Sequence, residues 1–404
     1  MININHLKDN LAKWEAGMKR RGAKVNLRKI LDLLKEFNRF QVEQEAMRAE
    51  RNQIAKQHNV TAGQELKIKL AKLEEEMNTV YDQMEKLWLE VPNLPMDDVP
   101  DGGEDDAKPI GKPVGTPTKL PNPKDHLELG KDLDLIDVER GAKVAGSRFY
   151  YLKNEAVELE FALVRMVSDI LAKKGFKFLM GPQLLSEKAM MAGGYLGKAA
   201  EEVYKTQDDL YLIGTSEQSM LAYHLDEIIE VPKRYASFST CFRREAGSYG
   251  KDVKGIIRVH QFDKVEMFSY VAPEDAEKEH LALVEIEEEI LKLLEIPYQK
   301  MLLAAGDLGM ASAKTYDLES WMPSQRKYRE THSCSNCADW QARRAMIRYR
   351  TPDGKTDFVH TLNGTAISLA RFLAIFLENH QQKDGSIRIP KALQPYVGFK
   401  EIKG

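Results

Sequence analysis

From Leu66 the residues Leu66, Leu70, Leu73, Met77, Val80, Met84, Leu87 and Val91 recur in alternating steps of four and three. That is the heptad spacing that keeps one narrow apolar seam along a helix, and such a seam requires a partner helix. The partner lies upstream, where Ile30, Leu33, Phe37, Phe40, Met47 and Ile54 keep the same rhythm, with polar Gln44 and Arg51 at two of its positions. His58-Asn59-Val60-Thr61-Ala62-Gly63 supplies the turn. Two helices of about thirty residues folded back on each other extend about 45 Å at 1.5 Å per residue. A two-in-seven stripe covers little other surface, so the pattern predicts an antiparallel coiled-coil arm over about 25–91 within an N-terminal helical region, 1–91. Residues 19–58 hold eleven Lys/Arg against five Asp/Glu, whereas 61–91 hold four against seven. One side of the arm is therefore basic, as a nucleic-acid contact needs, although any exposed coiled coil carries mixed charge.

The segment 92–125 contains eight of the sixteen prolines and no apolar periodicity, which excludes a long helix or central strand and predicts a linker. Beyond it, in 126–404, apolar helical segments (155–173, 276–294, 367–379) alternate with short β-rich runs (209–213, 234–242, 264–271, 357–362). Several of these runs are joined by loops too short for helical crossovers, so an antiparallel sheet flanked by helices, an α+β fold, fits better than a doubly wound parallel one.

Composition bounds the rest. The chain has 404 residues, 59 basic against 62 acidic, so a nucleic-acid partner must be met by a local patch. Three cysteines, Cys241, Cys334 and Cys337, do not build a disulfide scaffold. No stretch reaches the ~20 apolar residues of a membrane span, and the start MININHLKDN has no targeting pattern. These features predict a cytoplasmic protein with no membrane contact. Cys334-Ser335-Asn336-Cys337 has the spacing of half a zinc site, but only His332 lies near to extend it, so no zinc is expected. His260 and His360 are read as structural, and Glu285-Ile286-Glu287-Glu288-Glu289 as a solvated helix face.

Neither a phosphate-binding P-loop nor a Gly-x-Gly-x-x-Gly turn after a strand is present, so a nucleotide must be held otherwise. The run from Cys241 to Glu266, CFRREAGSYGKDVKGIIRVHQFDKVE, reads as strand, long glycine-containing basic loop, strand. Arginine at a strand end can clamp a phosphate or carboxylate in bidentate fashion, and Phe262 could stack on a base. On the residues alone, a basic surface hairpin with a buried phenylalanine accounts for the pattern as well.

This hairpin resembles motif 2 of the class II aminoacyl-tRNA synthetases, and its wording resembles the seryl-tRNA synthetases of bacterial type. Gly175 to Leu185, with Pro182 after a long helix, resembles motif 1. Thr215-Ser216-Glu217 resembles the family's serine-side loop, and Asn363 to Arg371 (NGTAISLAR) resembles motif 3. The N-terminal hairpin and Val91-Pro92-Asn93-Leu94-Pro95 resemble the family's tRNA-binding arm and hinge, so the likeness covers nearly the whole chain.

The resemblance implies a ligase forming a carbon–oxygen bond. Serine and ATP would give seryl-adenylate, and the seryl group would pass to the 3′ end of serine tRNA, with selenocysteine tRNA left open as a second acceptor. It implies Arg243, Glu245 and Arg371 as catalytic, and Thr215, Ser216, Glu217, Glu266 and Thr365 as serine ligands. ATP would meet Arg243, Arg244, Glu245, Phe262, Glu330, Thr331, His332, Ser333 and Arg371, with Mg2+ held between ATP and oxygens of Glu330 and Ser333. Glu245, two residues from Arg243, is read as sharing its strand face. A homodimer across Pro182 is implied as well. The alternatives are a synthetase-like paralogue loading a carrier protein and an inactive RNA-binding homologue; the full arm speaks against the first, and Arg243, Glu266 and Arg371 against the second. Four positions depart from the pattern: Ala366 and Ala370 stand where many bacterial relatives have glycine, and His332 and Arg244 where serine is expected.

Overall fold

The computed structural model describes residues 4–57, 59–196, 198–246 and 254–404. His58 of the proposed turn and the tip of the basic hairpin, Gly247 to Val253, lie outside the described residues. The chain divides after Leu94 into two compact units.

The first unit is helical. Two short helices, α1 (Asn5–Asp9) and α2 (Leu11–Arg20), precede α3 (Leu27–Lys56) and α4 (Val60–Leu89), each of thirty residues. Asn26 caps α3 by accepting from the Lys29 amide, and Asn59 caps α4 by accepting from the Ala62 amide. Val60 to Gly63, assigned to the turn by sequence, already belong to α4, because the Asn59 cap starts the helix there. The pairs Phe37–Tyr81 (5.6 Å between ring centroids) and Gln44–Glu74 (3.0 Å) make the two long helices antiparallel. The seam residues Ile30, Leu33, Phe37, Phe40, Leu66, Leu70, Leu73 and Met84 are buried. Polar Gln44 is tolerated in the seam because Glu74 accepts its amide hydrogen. Where α3 begins and α4 ends, the seam widens into a core in which Leu7, Trp14 and Met18 cover Ile30, Trp88 and Val91.

The second unit is built on an eight-stranded sheet. In chain order its strands are β1 (Lys108–Pro109), β2 (Lys177–Leu179), β3 (Lys233–Phe242), β4 (Gln261–Val271), β5 (Tyr298–Leu302), β6 (Lys314–Met322), β7 (Lys327–Asn336) and β8 (His360–Ser368). Their spatial order is β1-β5-β6-β7-β8-β4-β3-β2, antiparallel at every pairing except β2 with β3. Five helices bear on the argument: α5 (Glu155–Lys173), α6 (Glu217–Ala222), α7 (Ala276–Leu293), α8 (Trp340–Ala345) and α9 (Leu369–His380). On one sheet face α5, α7 and α9 bury Val265, Met267, Leu318 and Ile367 in the main core. On the other, α6 and α8 cover Phe268 and Tyr270 near one end of β4 and leave the rest of that face open.

Two sequence expectations change. The proline-rich stretch is not a bare linker: Val99 packs on Ala305 and Leu308, the Met96 amide donates to the Ala313 carbonyl, and Lys108–Pro109 forms the edge strand of the sheet. An edge tolerates proline, whose missing N–H faces outward. Glu287, read as solvated, is fully buried in α7 beside His280, Val284 and Leu291, because the helical period carries it to the inner face. Burial, with Glu266 and Asp317 nearby, pushes its carboxyl well above the ordinary range.

Candidate active site

The open part of the sheet face holds a cavity of about 500 Å³. The β3–β4 hairpin supplies one wall. Cys241 pairs with Phe262 and Ser237 with Glu266, and the two-residue side-chain period of β4 puts Phe262, Lys264 and Glu266 in a row on the cavity face. Arg243 and Phe262 line the cavity together, the guanidinium carbon 5.4 Å from the ring centroid. Arg243 Nε donates to the Gly214 carbonyl (3.2 Å), while its own carbonyl is hydrogen-bonded to His260 Nδ1 (3.0 Å). His260 is thus a structural brace of the hairpin.

β3 ends at Phe242, so Arg243 and Glu245 do not share a strand face. Glu245 has a φ of 52°, and this left-handed turn directs its carboxylate to Arg258 (2.7 Å). Arg244 is exposed and not among the lining residues; its amide donates to the Glu202 carbonyl.

The opposite wall comes from β7, β8 and the start of α9. Arg371 Nη1 donates to both the carbonyl (2.9 Å) and Oε2 (3.0 Å) of Glu330, and its Nε to the Ile257 carbonyl (3.3 Å). Partial burial works against ionisation of Glu330, but Arg371, with Arg243 and Arg258 beyond, holds its carboxyl below the ordinary range. Thr331 lines the cavity, with its hydroxyl bonded to Ser320 (2.7 Å). His332 does not reach the cavity. It pairs with Leu318 on the core face of β7, fully buried, its ring edge-on to Phe372, and burial lowers its pKa to about 4. Ser333 is opposite Asp317, to which its hydroxyl bonds, and is likewise absent from the lining. Ala366 sits in a bulge of β8 between the Thr365–Glu266 and Ile367–Val265 pairs, and Ala370 lines the cavity floor.

Of the residues expected to meet serine, Thr365 lines the cavity, paired with Glu266, whereas Thr215, Ser216, Glu217 and Glu266 are buried and absent from the lining. Glu266 is buried, with its carboxylate 2.6 Å from the Lys264 ammonium. Glu217 receives hydrogen bonds from the Tyr195 hydroxyl (2.9 Å) and the Gln341 amide (2.6 Å). Burial first, then the charge of Glu266, raises the Glu217 carboxyl above its ordinary value despite those bonds. Thr215 Oγ1 accepts from the Glu217 amide (3.3 Å), and Ser216 Oγ donates to the Ser237 carbonyl (3.2 Å), so both hydroxyls are used in fixing the loop. Tyr195, Arg258, Lys264 and Gln341 escaped the sequence reading. Only Lys264 had a signal there, standing between Phe262 and Glu266 at the strand period.

The cavity thus offers a ring and three arginines, and two buried carboxylates, Glu217 and Glu266, lie outside its lining, the second beside Lys264 and Thr365. Similar proteins carry the same architecture. Residues 1–95 match the model of the seryl-tRNA synthetase N-terminal domain, and residues 201–380 that of the tRNA synthetase class II core domain (G, H, P, S and T). A serine–tRNA ligase of Thermobifida fusca is 43% identical over 413 residues, covering 98% of each chain. One from Mycolicibacterium smegmatis is 51% identical over 313 residues, 76% of this chain and 75% of that one. The chain belongs to the seryl-tRNA synthetases. A solved seryl-tRNA synthetase from Pyrococcus horikoshii, complexed with ATP, superposes with a TM-score of 0.89 at 38% identity, covering 100% of this chain and 99% of the other. The cytoplasmic serine–tRNA ligase of Naegleria fowleri, in complex with AMP, gives 0.85 at 31% identity over 98% and 96%. As in those synthetases, the class II sheet here is antiparallel and flanked by helices.

Proposed function

We propose that this chain is a serine–tRNA ligase that activates L-serine with ATP and transfers the seryl group to the 3′ end of serine tRNA. The observation that carries the reading is the single row Phe262–Lys264–Glu266, in which a ring and a cation that line the cavity run on to a buried anion suited to an ammonium.

In the first step a serine carboxylate oxygen attacks the α-phosphorus of ATP, and the bond to the β-phosphate breaks to release pyrophosphate. No proton need move, so positioning and charge stabilisation carry the rate. Adenine stacks on Phe262, and Arg243 beside it meets the α-phosphate and the serine carboxylate. Arg371 takes the outer phosphates, exchanging part of its contact with Glu330 for them. Glu245 fixes Arg258 at the adenine end. Glu266, with Glu217 behind it, takes the serine ammonium, which offsets the cost of burying those charges. Thr365 presents its hydroxyl to the substrate while Thr215 fixes the serine loop, and a site that pairs the serine hydroxyl disfavours alanine and glycine. Arg244, His332 and Ser216 act through the backbone they fix.

Mg2+ fits as an ion carried with the nucleotide. Glu330 offers a hard oxygen in the cavity, whereas the Ser333 hydroxyl is held by Asp317, and no cluster of three or more His, Cys, Asp or Glu able to hold a metal occurs among the described residues. Bound there, it would neutralise phosphate charge.

The first unit serves the second step. Its match to the family's N-terminal domain and its excess of basic residues over 19–58 support contact with the tRNA backbone. The expected division into 1–91, 92–125 and a catalytic 126–404 then holds as a functional one, with part of 92–125 built into the catalytic unit. A homodimer across Pro182 is supported by the exposed apolar side chains Phe161, Phe178, Met180 and Leu184. The Pro182 carbonyl accepts from Ser219 of α6 (2.5 Å), which ties that surface to the serine loop. No helix among the described residues is long and apolar enough to cross a membrane, and a cytoplasmic location agrees with a content of three buried cysteines. Charging of purified serine tRNA with labelled serine tests the reading; no charging with active tRNA would reject it.

A further inference from the structure

Lys264 is a buried cation on the floor of the cavity, and none of the roles derived above uses it. Its side chain is 7% exposed and that of Glu266 3% exposed, with 2.6 Å between ammonium and carboxylate. Both lie in the row formed by one face of β4, where same-face neighbours are about 7 Å apart. Phe262 stands at one end of that row and Glu266 at the other. If adenine stacks on the first and the substrate ammonium reaches the second, the carboxylate and α-phosphate that react lie between them, over Lys264.

A second argument is electrostatic. Glu266 has one buried carboxylate and two claimants, the Lys264 ammonium and the ammonium of the amino acid. A substrate that binds Glu266 must loosen Lys264. The freed cation is buried, so it needs another anion close by. On the other side of the pocket, Glu217 already receives hydrogen bonds from Tyr195 and Gln341. Of the carboxylates lining the cavity, Glu245 is held by Arg258 and Glu330 by Arg371, and the anions of the reaction itself come to lie over Lys264.

We propose that Lys264 is a catalytic residue of the activation step, handed from Glu266 to the oxygens of the reacting carboxylate and α-phosphate when the amino acid's ammonium takes its place. The proposal rests on the serine–tRNA ligase reading and deepens it. A lone pair of the carboxylate oxygen forms the new O–P bond, the electrons of the bond to the β-phosphate leave with pyrophosphate, and no proton is transferred. Lys264 meets the charge gathering on the α-phosphate oxygens together with Arg243. Its neighbour on β3, Ser239, is buried and adds no charge.

The idea makes an unusual kinetic demand: one side chain both competes with the substrate and speeds its reaction. In serine-dependent ATP–pyrophosphate exchange by the full-length protein, Lys264→Met should lower kcat about 10²- to 10³-fold. The serine KM should stay equal or fall, since the competitor is gone. Lys264→Arg keeps the charge, and its fork grips Glu266 more firmly. It should keep kcat within about tenfold while raising the serine KM. A Lys264→Met protein with kcat within about threefold of wild type, or with a raised serine KM at unchanged kcat, would show that Lys264 only shapes Glu266. Should the Met variant melt below the assay temperature, Lys264→Arg decides alone: a folded Arg variant with unchanged serine KM and abolished kcat overturns the proposal. Absence of serine-dependent exchange in the wild type would instead reject the ligase reading.

Discussion

Replacing Phe262 by alanine separates ATP binding from serine binding. The ring is partly buried, lines the cavity, packs on the main core and lies 5.4 Å from the Arg243 guanidinium. Losing its apolar burial costs at most about 3 kcal/mol, against a stability of about 5–15 kcal/mol for an ordinary domain, so the protein should still fold. Stacking of a base on an aromatic ring is worth about 1–3 kcal/mol, and 1.4 kcal/mol is tenfold, so the KM for ATP should rise about 5- to 150-fold. In the proposed binding mode serine is held two same-face positions away, by Glu266, and its KM should change less than about threefold. Phe262→Tyr keeps the π-face and should recover most of the loss. The assay is pyrophosphate exchange with ATP and serine varied in turn, with a thermal melt of each variant. An unchanged ATP KM in a folded Phe262→Ala protein, or equal losses for both substrates, would refute the assignment of this ring to adenine.

Glu266→Gln should raise the serine KM about 10- to 150-fold, the worth of a charge-assisted hydrogen bond, with little change in the ATP KM; equal effects on both would place the ammonium elsewhere. The Glu217 carboxyl lies above its ordinary 4.5 in the folded chain. Its ionisation therefore costs stability above the raised value, a cost relieved as pH falls through it. Because the serine ammonium favours the ionised form, the serine KM should climb with falling pH already above 4.5 and climb less in Glu217→Gln; a KM flat down to pH 5 in the wild type would contradict this. Trp88→Ala opens the buried contact with Trp14 (5.6 Å between centroids) and should destabilise the first unit by about 3–5 kcal/mol. Serine-dependent exchange should survive that change while tRNA charging falls tenfold or more, and undiminished charging would remove the first unit from the tRNA reaction.

The regular features of the sequence were legible. The heptads placed the antiparallel pair α3 and α4, and the spacing of apolar runs placed β3 and α5 almost to the residue and β4 except for its first three residues. What failed was reasoning that let residue type override geometry. Glu287 was read as solvated because its neighbours are acidic, yet residues 280, 284, 287 and 291 follow the buried period of α7. His332 was placed with the ATP contacts because it follows Glu330 and Thr331, while strand alternation turns it into the core. Glu245 was assigned to the strand face of Arg243, but β3 stops at Phe242. Tyr195 and Gln341 reach Glu217 from loops and helices far along the chain, and such long-range convergence leaves no local signature.

The central claim is that this cavity activates serine. Pyrophosphate exchange run with each of the twenty amino acids in turn, on the full-length protein, tests it most directly. The account predicts exchange that depends on serine, with alanine, glycine and threonine at least about a hundredfold weaker in kcat/KM. Exchange supported by threonine or alanine and not by serine would contradict it.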